Sequence, residues 1–116
     1  MGLDYRTIAM YGWKVEDVDK LEEMENDLED WNEDYYDDLD DFLVEDTMMG
    51  RYIYFGVKLV YFDPTDDNQE EIIDEKLVSD AASKWNKYLK DNPEFEKIVN
   101  KYKNGEPKLY VFSHIW

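Results

Sequence analysis

The chain has 116 residues, 43% hydrophobic and 16% aromatic, with no cysteine and 30 acidic against 13 basic side chains, a formal charge of -17. The length suits a single domain spanning 1–116, and the apolar fraction is too high for a disordered acidic tail. The composition excludes a disulfide framework, a thiol nucleophile and a thiolate metal site, and no stretch reaches the roughly 18 consecutive apolar residues of a membrane span.

Residues 5–15 mix aromatic and β-branched types and read as a first strand, with Tyr5, Thr7, Ala9, Tyr11, Trp13 and Val15 on one face and Gly12 marking a bulge. From Asp17 the period changes. Val18, Leu21, Met24, Leu28, Trp31, Tyr35, Leu39 and Phe42 recur at steps of three or four, one apolar stripe on a helix that Asp17 or Asp19 caps. The stripe fits either one helix over 17–42 or two helices broken near Asn32. After a connection at 47–50, residues 51–62 form the clearest strand, where Gly56 signals a bulge or a close backbone approach.

A turn-rich loop at 64–68 leads to a second amphipathic helix marked by Ile72 or Ile73, Leu77, Ala81, Trp85 and Leu89 and ending near Asp91. Asn92 and Pro93 then cap and open a third, with Phe95, Ile98, Val99 and Tyr102 on its buried face and Gly105 as its stop. Residues 108–116 close the chain as a docked strand. The expected fold is α+β, a small three-stranded sheet packed with three to four helices in the order β-α(α)-β-α-α-β.

Charge is segregated along this framework. Residues 16–46 hold seventeen carboxylates and one cation, Lys20; residues 63–75 add seven acids and no base, whereas 76–116 hold five acids and eight lysines. Carboxylate pairs spaced i to i+4, such as Asp30 with Asp34, Glu33 with Asp37, Asp34 with Asp38 and Asp37 with Asp41, weaken a helix by about 0.2–0.5 kcal/mol each. Their retention points to a role for the charge itself. A single helix over 17–42 would run about 39 Å with a carboxylate every ~2–3 Å of axis, against one charge per ~1.7 Å of duplex DNA, or ~3.4 Å along one strand.

Such a surface repels nucleic acid and anionic membranes and steers basic proteins toward it. The expected partner is therefore a basic nucleic-acid-binding protein, whose lysines and arginines take carboxylates as they take phosphates. The expected contact residues are Glu23, Asp27, Asp30, Glu33, Asp34, Asp37, Asp38 and Asp41, with Tyr36 as an aromatic anchor off the buried stripe. Asp63, Asp66, Asp67, Glu70 and Glu71 form a second patch. In size and composition the chain resembles the small acidic inhibitors that bacteriophages use against restriction, CRISPR or host DNA-processing proteins. That likeness of charge and length, without a shared motif, implies a DNA-mimic function class and assigns no individual site. The alternative is a non-enzymatic assembly adaptor, or a homodimer whose lysine-bearing half meets the acidic half of a neighbour.

Other chemistry is poorly served. As a calcium loop, the segment from Asp63 has Asn68 where glycine is needed and Asp74 where a bidentate glutamate is needed, so it reads as a solvated loop. The one histidine, His114, adjoins Ser113 in a strand, where neighbours point to opposite faces, and reads as structural. No isolated acid stands out on a strand's apolar face, and no phosphate loop, zinc spacing or nucleotide fingerprint is present. No catalytic residue, cofactor or metal is therefore expected. Without a basic and apolar leader the expected location is the cytoplasm, that of a bacterial host if the protein is phage-encoded.

Overall fold

The apolar alternation of the two longest strands places them side by side at the centre of an antiparallel sheet. A computed structural model describes residues 5–46, 49–62 and 73–115. In chain order the elements are β1 (Tyr5–Val15), α1 (Val18–Trp31), α2 (Tyr35–Asp38), β2 (Leu43–Glu45), β3 (Ile53–Phe62), α3 (Glu75–Asp91), α4 (Pro93–Tyr102) and β4 (Lys108–Ile115). The sheet order is β2-β3-β1-β4, with every neighbour antiparallel. With α2 as an added single turn and α3–α4 filling the second helical position, the connectivity is of the split-βαβ kind.

The α+β reading stands, but the sheet has one strand more than the three expected. The extra strand, β2, is three residues long and follows the helical stripe directly, so its Leu43 and Val44 carry no strand period of their own. Its pairing is extended by Gly56 N–H to Phe42 C=O and Lys58 N–H to Asp41 C=O. The β2–β3 connection is organised by Asp46, a buried carboxylate that accepts from Met49 N–H, Arg51 N–H and Arg51 Nε. Burial works against its charge, but these bonds outweigh it and hold the carboxyl below its ordinary range.

The helices lie on one face of the sheet over a core built from α1, α3, α4 and the first three strands. Its centre is aromatic: Trp13 stacks on Phe55, Phe42 meets Trp85 and Tyr88, and Phe95 is packed between Trp31, Trp85 and Tyr88. On the opposite face Ile8, Met10, Val44 and Tyr54 form a smaller core, roofed by Tyr52, Tyr110 and Phe112.

The glycines expected to mark backbone irregularity face each other in register, Gly12 opposite Gly56. The bulge lies elsewhere, at the Ala9/Met10 step. What the glycines permit is close approach: a Cβ on Gly12 would lie 2.1 Å from Phe55 O, and one on Gly56, whose φ is 145°, would lie 2.3 Å from Tyr11 O. Backbone cannot yield there as a flexible side chain would. Gly12→Ala or Gly56→Ala is expected to cost about 1–3 kcal/mol, read as a lower urea midpoint at unchanged slope.

Candidate acidic interface

Helix α1 forms because Leu21, Met24 and Leu28 recur on one buried face, and Asp17 caps it by accepting from Asp19 N–H and Lys20 N–H. It ends at Asn32, which resolves the choice between one helix and two. The Asn32 N–H closes the last turn on Leu28 C=O, its Oδ1 accepts from Asp34 N–H at 3.0 Å, and its Nδ2 donates to Asp38 Oδ2 at 2.6 Å. The next turn, α2, buries Tyr35 and turns Tyr36 outward at 45% exposure. Trp31 and Tyr35 thus serve the core, as the stripe implied.

The break has an electrostatic consequence. The pairs 30/34, 33/37 and 34/38 straddle or adjoin the break and 37/41 runs past the end of α2, so the repulsion expected of a continuous helix is relieved there. The straight helical run is also shorter than about 39 Å. The 14 residues of α1 extend about 21 Å, after which the acidic ridge changes direction.

The eight acids expected to contact a partner fall into two groups. Glu23 and Asp27 on α1 both receive Lys101 of α4, at 2.9 Å each, and Asp27 also accepts from the Tyr102 hydroxyl. The tyrosine bond foremost, then the lysine, holds Asp27 below its ordinary range, while the Lys101 bond does the same for Glu23. Asp41 pairs with Lys84 of α3 at 2.8 Å, and its neighbour Asp40 with Lys58 at 3.8 Å. Glu23 and Asp27 thus tie α1 to α4, while Asp40 and Asp41 tie the turn before β2 to β3 and to α3.

Asp30, Glu33, Asp34, Asp37 and Asp38 are different: each is exposed, as is Glu29 beside them, and among the described residues none of the six forms an ion pair. Asp38 has only the Asn32 amide. Glu29 and Asp30 moreover sit in the last turn of α1, which carries no basic residue, so they face the negative end of the helix dipole. A cation docked at this junction would be attracted both by the exposed carboxylates and by the negative end of that dipole. The second acidic patch, Asp63, Asp66, Asp67, Glu70 and Glu71, and the side chain of His114 lie outside the described residues.

Sequence reasoning missed one titratable group. Glu45 on β2 points into the helix side of the sheet and is 6% exposed; its Oε2 accepts from the buried Tyr35 hydroxyl at 2.8 Å. Burial, then a hydrogen bond with Glu25 of α1, raises its carboxyl to about 7, with Glu29 adding to the effect. The same burial and the Glu45 bond push the Tyr35 hydroxyl well above its ordinary range. In the sequence Glu45 is one acid among seventeen; its only signal was the preceding apolar pair Leu43 and Val44.

A buried carboxyl poised near neutrality is a common property of catalytic acids, but Glu45 lines neither of two surface clefts. One, of about 430 Å³, lies between α1 and α4 around Trp31, Asp30, Lys97 and Ile98. The other, of about 340 Å³, lies around Lys14, Lys20, Lys101, Tyr102 and Lys103. Among the described residues no three His, Cys, Asp or Glu side chains are grouped to hold a metal ion, and no helix is long and apolar enough to cross a membrane. Comparison with protein-family models, with curated proteins and with solved structures finds no match.

Proposed function

We propose that the protein is a non-enzymatic acidic inhibitor that occupies the nucleic-acid-binding surface of a basic protein, in the manner of a DNA mimic. The observation that carries this reading is the contrast within the acidic block. The acids at its two flanks are tied to Lys101, Lys58 and Lys84, whereas among the described residues the six exposed carboxylates at 29–38 have no cation of their own. The flanking acids are neutralised within the molecule, and the centre presents uncompensated charge between them.

The imitation is of charge density rather than of a straight strand, because the ridge bends at Asn32. Arginine and lysine heads that normally hold phosphates would bond the carboxylates of residues 29–38, with Tyr36 as an adjacent ring for an arginine to stack on. Association would be fast, electrostatically steered and weakened by salt. The adaptor alternative draws less support, since Lys84 and Lys101 of the lysine-bearing half already pair with Asp41, Glu23 and Asp27 of the same molecule.

Capture from a bacterial lysate on immobilised protein, eluted in parallel with salt and with duplex DNA, tests the proposal. The expected result is a DNA-binding protein that duplex DNA releases from the natural chain. It should be absent from a column bearing the chain with Asp30, Asp34, Asp37 and Asp38 all changed to lysine. Equal retention on both columns would refute the proposal.

A further inference from the structure

The acidic ridge leads directly into β2, one edge strand of the sheet, and the opposite edge, β4, has the reverse character. Its sequence, Lys108 to Ile115, contains no acid. Among the described residues β4 pairs only with β1, so one whole row of its N–H and C=O groups has no strand partner. Among the residues whose burial is described, 108–113 of β4 contribute nothing to the main core, and on the helix side Leu109 and Val111 are 51% and 65% exposed, beside Tyr11 of β1 at 40%. An eight-residue edge strand with bare apolar side chains and neither acid nor proline is a surface that soluble proteins ordinarily blunt.

We propose that β4 is the contact surface for a second copy of this chain, joined edge to edge in an antiparallel β4–β4 pair. The occupant follows from charge. Two molecules of charge -17 repel wherever their acidic faces approach, and β4 brings one cation, no acid and, among the described residues, the most exposed large apolar side chains of the sheet. Joined there, the two acidic ridges stand at the far ends of an eight-stranded sheet, β2-β3-β1-β4 continued by β4-β1-β3-β2.

The strand is also compatible with a two-fold axis, which requires a self-complementary register. Centred on Val111, the pairing sets Val111 on Val111 on the helix side and Tyr110 opposite Phe112 on the other face. Lys108 falls opposite His114, so no two lysines meet. Period-2 alternation keeps both partners of each pair on one face, and aromatic and β-branched cross-strand pairs of this kind are favourable. This contact does not depend on what the acidic ridge binds.

Salt distinguishes it from pairing of charge-complementary halves. In sedimentation equilibrium on the purified chain, a β4–β4 dimer gains affinity as salt screens the repulsion between copies. Val111→Lys places two cations across the axis and is expected to lower the dimerisation constant by ~100-fold, with far-UV dichroism and the melting curve of the dilute protein unchanged, because its side chain is mostly exposed. Leu109→Lys, which falls opposite Ser113 in this register, removes an exposed apolar contact and is expected to weaken the dimer by a smaller factor. A natural chain that stays monomeric at every concentration and salt overturns the proposal. So does a dimer that salt dissolves, or one that survives both variants while they remain folded.

Discussion

Changing Asp30, Asp34, Asp37 and Asp38 together to lysine is expected to abolish binding to the basic partner, weakening it at least ~1,000-fold, while the protein stays folded. The affinity argument is one of sign. Each replacement removes a carboxylate from a cation of the partner and sets a like charge there, and juxtaposed like charges in an interface cost several kcal/mol. The stability argument is one of burial. All four side chains are exposed and none forms an ion pair among the described residues, so the replacements break one specific hydrogen bond, from the Asn32 amide to Asp38. At Asp30 the change also sets a cation at the negative end of the α1 dipole, which is favourable by a few tenths of a kcal/mol.

One control makes the result specific. Asp80→Lys with Glu96→Lys, on the exposed faces of α3 and α4, changes net charge by half as much away from 29–38 and is expected to leave most of the affinity. Glu23 and Asp27 are unsuitable sites for the same test, because reversing them breaks the Lys101 link between α1 and α4 and confuses binding with folding. Isothermal titration of the captured partner at several salt concentrations measures the effect. Undiminished affinity of the fourfold variant would remove the acidic ridge from the interface.

The second large effect is on stability, and it runs against the usual expectation for an acidic protein near neutral pH. Glu45 has its folded pKa raised from 4.5 to about 7, so between those values the folded state holds a proton that the unfolded chain releases. Its contribution is fully present below about 4.5 and is lost as pH rises toward 7, on the order of 3 kcal/mol for a shift of that size. Asp27 and Asp46 have the opposite sign. Their folded pKa values lie below the ordinary 3.8, so what they contribute is present above that value and lost on further acidification. Stability is therefore expected to peak near pH 5 and to fall toward pH 8.

Glu45→Gln isolates the cause. A glutamine keeps an oxygen for the Tyr35 hydroxyl and supplies an amide N–H toward Glu25 in place of the shared proton. The variant is expected to match the natural chain at pH 5, to exceed it at pH 8 and to lose the slope between. Urea unfolding across that range reads all three. An unchanged slope in the variant, or a natural chain equally stable at pH 5 and 8, would show that Glu45 does not carry the proton.

Much of the fold was legible because it is written in local periods. The alternation over 5–15 is β1 to the residue, the stripe at Phe95, Ile98, Val99 and Tyr102 is the buried face of α4, and Asn92 with Pro93 stands at its start. Even there a detail escaped: the Asn92 side chain makes no cap and instead donates to Tyr88 C=O, joining α3 to α4. Gly56 was legible as a close approach, whereas Gly12 was not. A strand glycine signals irregularity, but only its register partner shows whether the cause is a bulge or a touching backbone.

By itself the sequence determined the α+β class, the helix and strand periods, and the segregation of charge, since each depends on residues close together in the chain. The tertiary structure alone decided which carboxylates face a lysine, which one is buried, and which edge of the sheet is left open. Ion pairs between Asp27 and Lys101 or Asp41 and Lys84 span 74 and 43 positions. The burial of Glu45 depends on α1 and α2 closing over a three-residue strand, and a carboxylate's chemistry is set by these neighbours in space, which no spacing along the chain encodes.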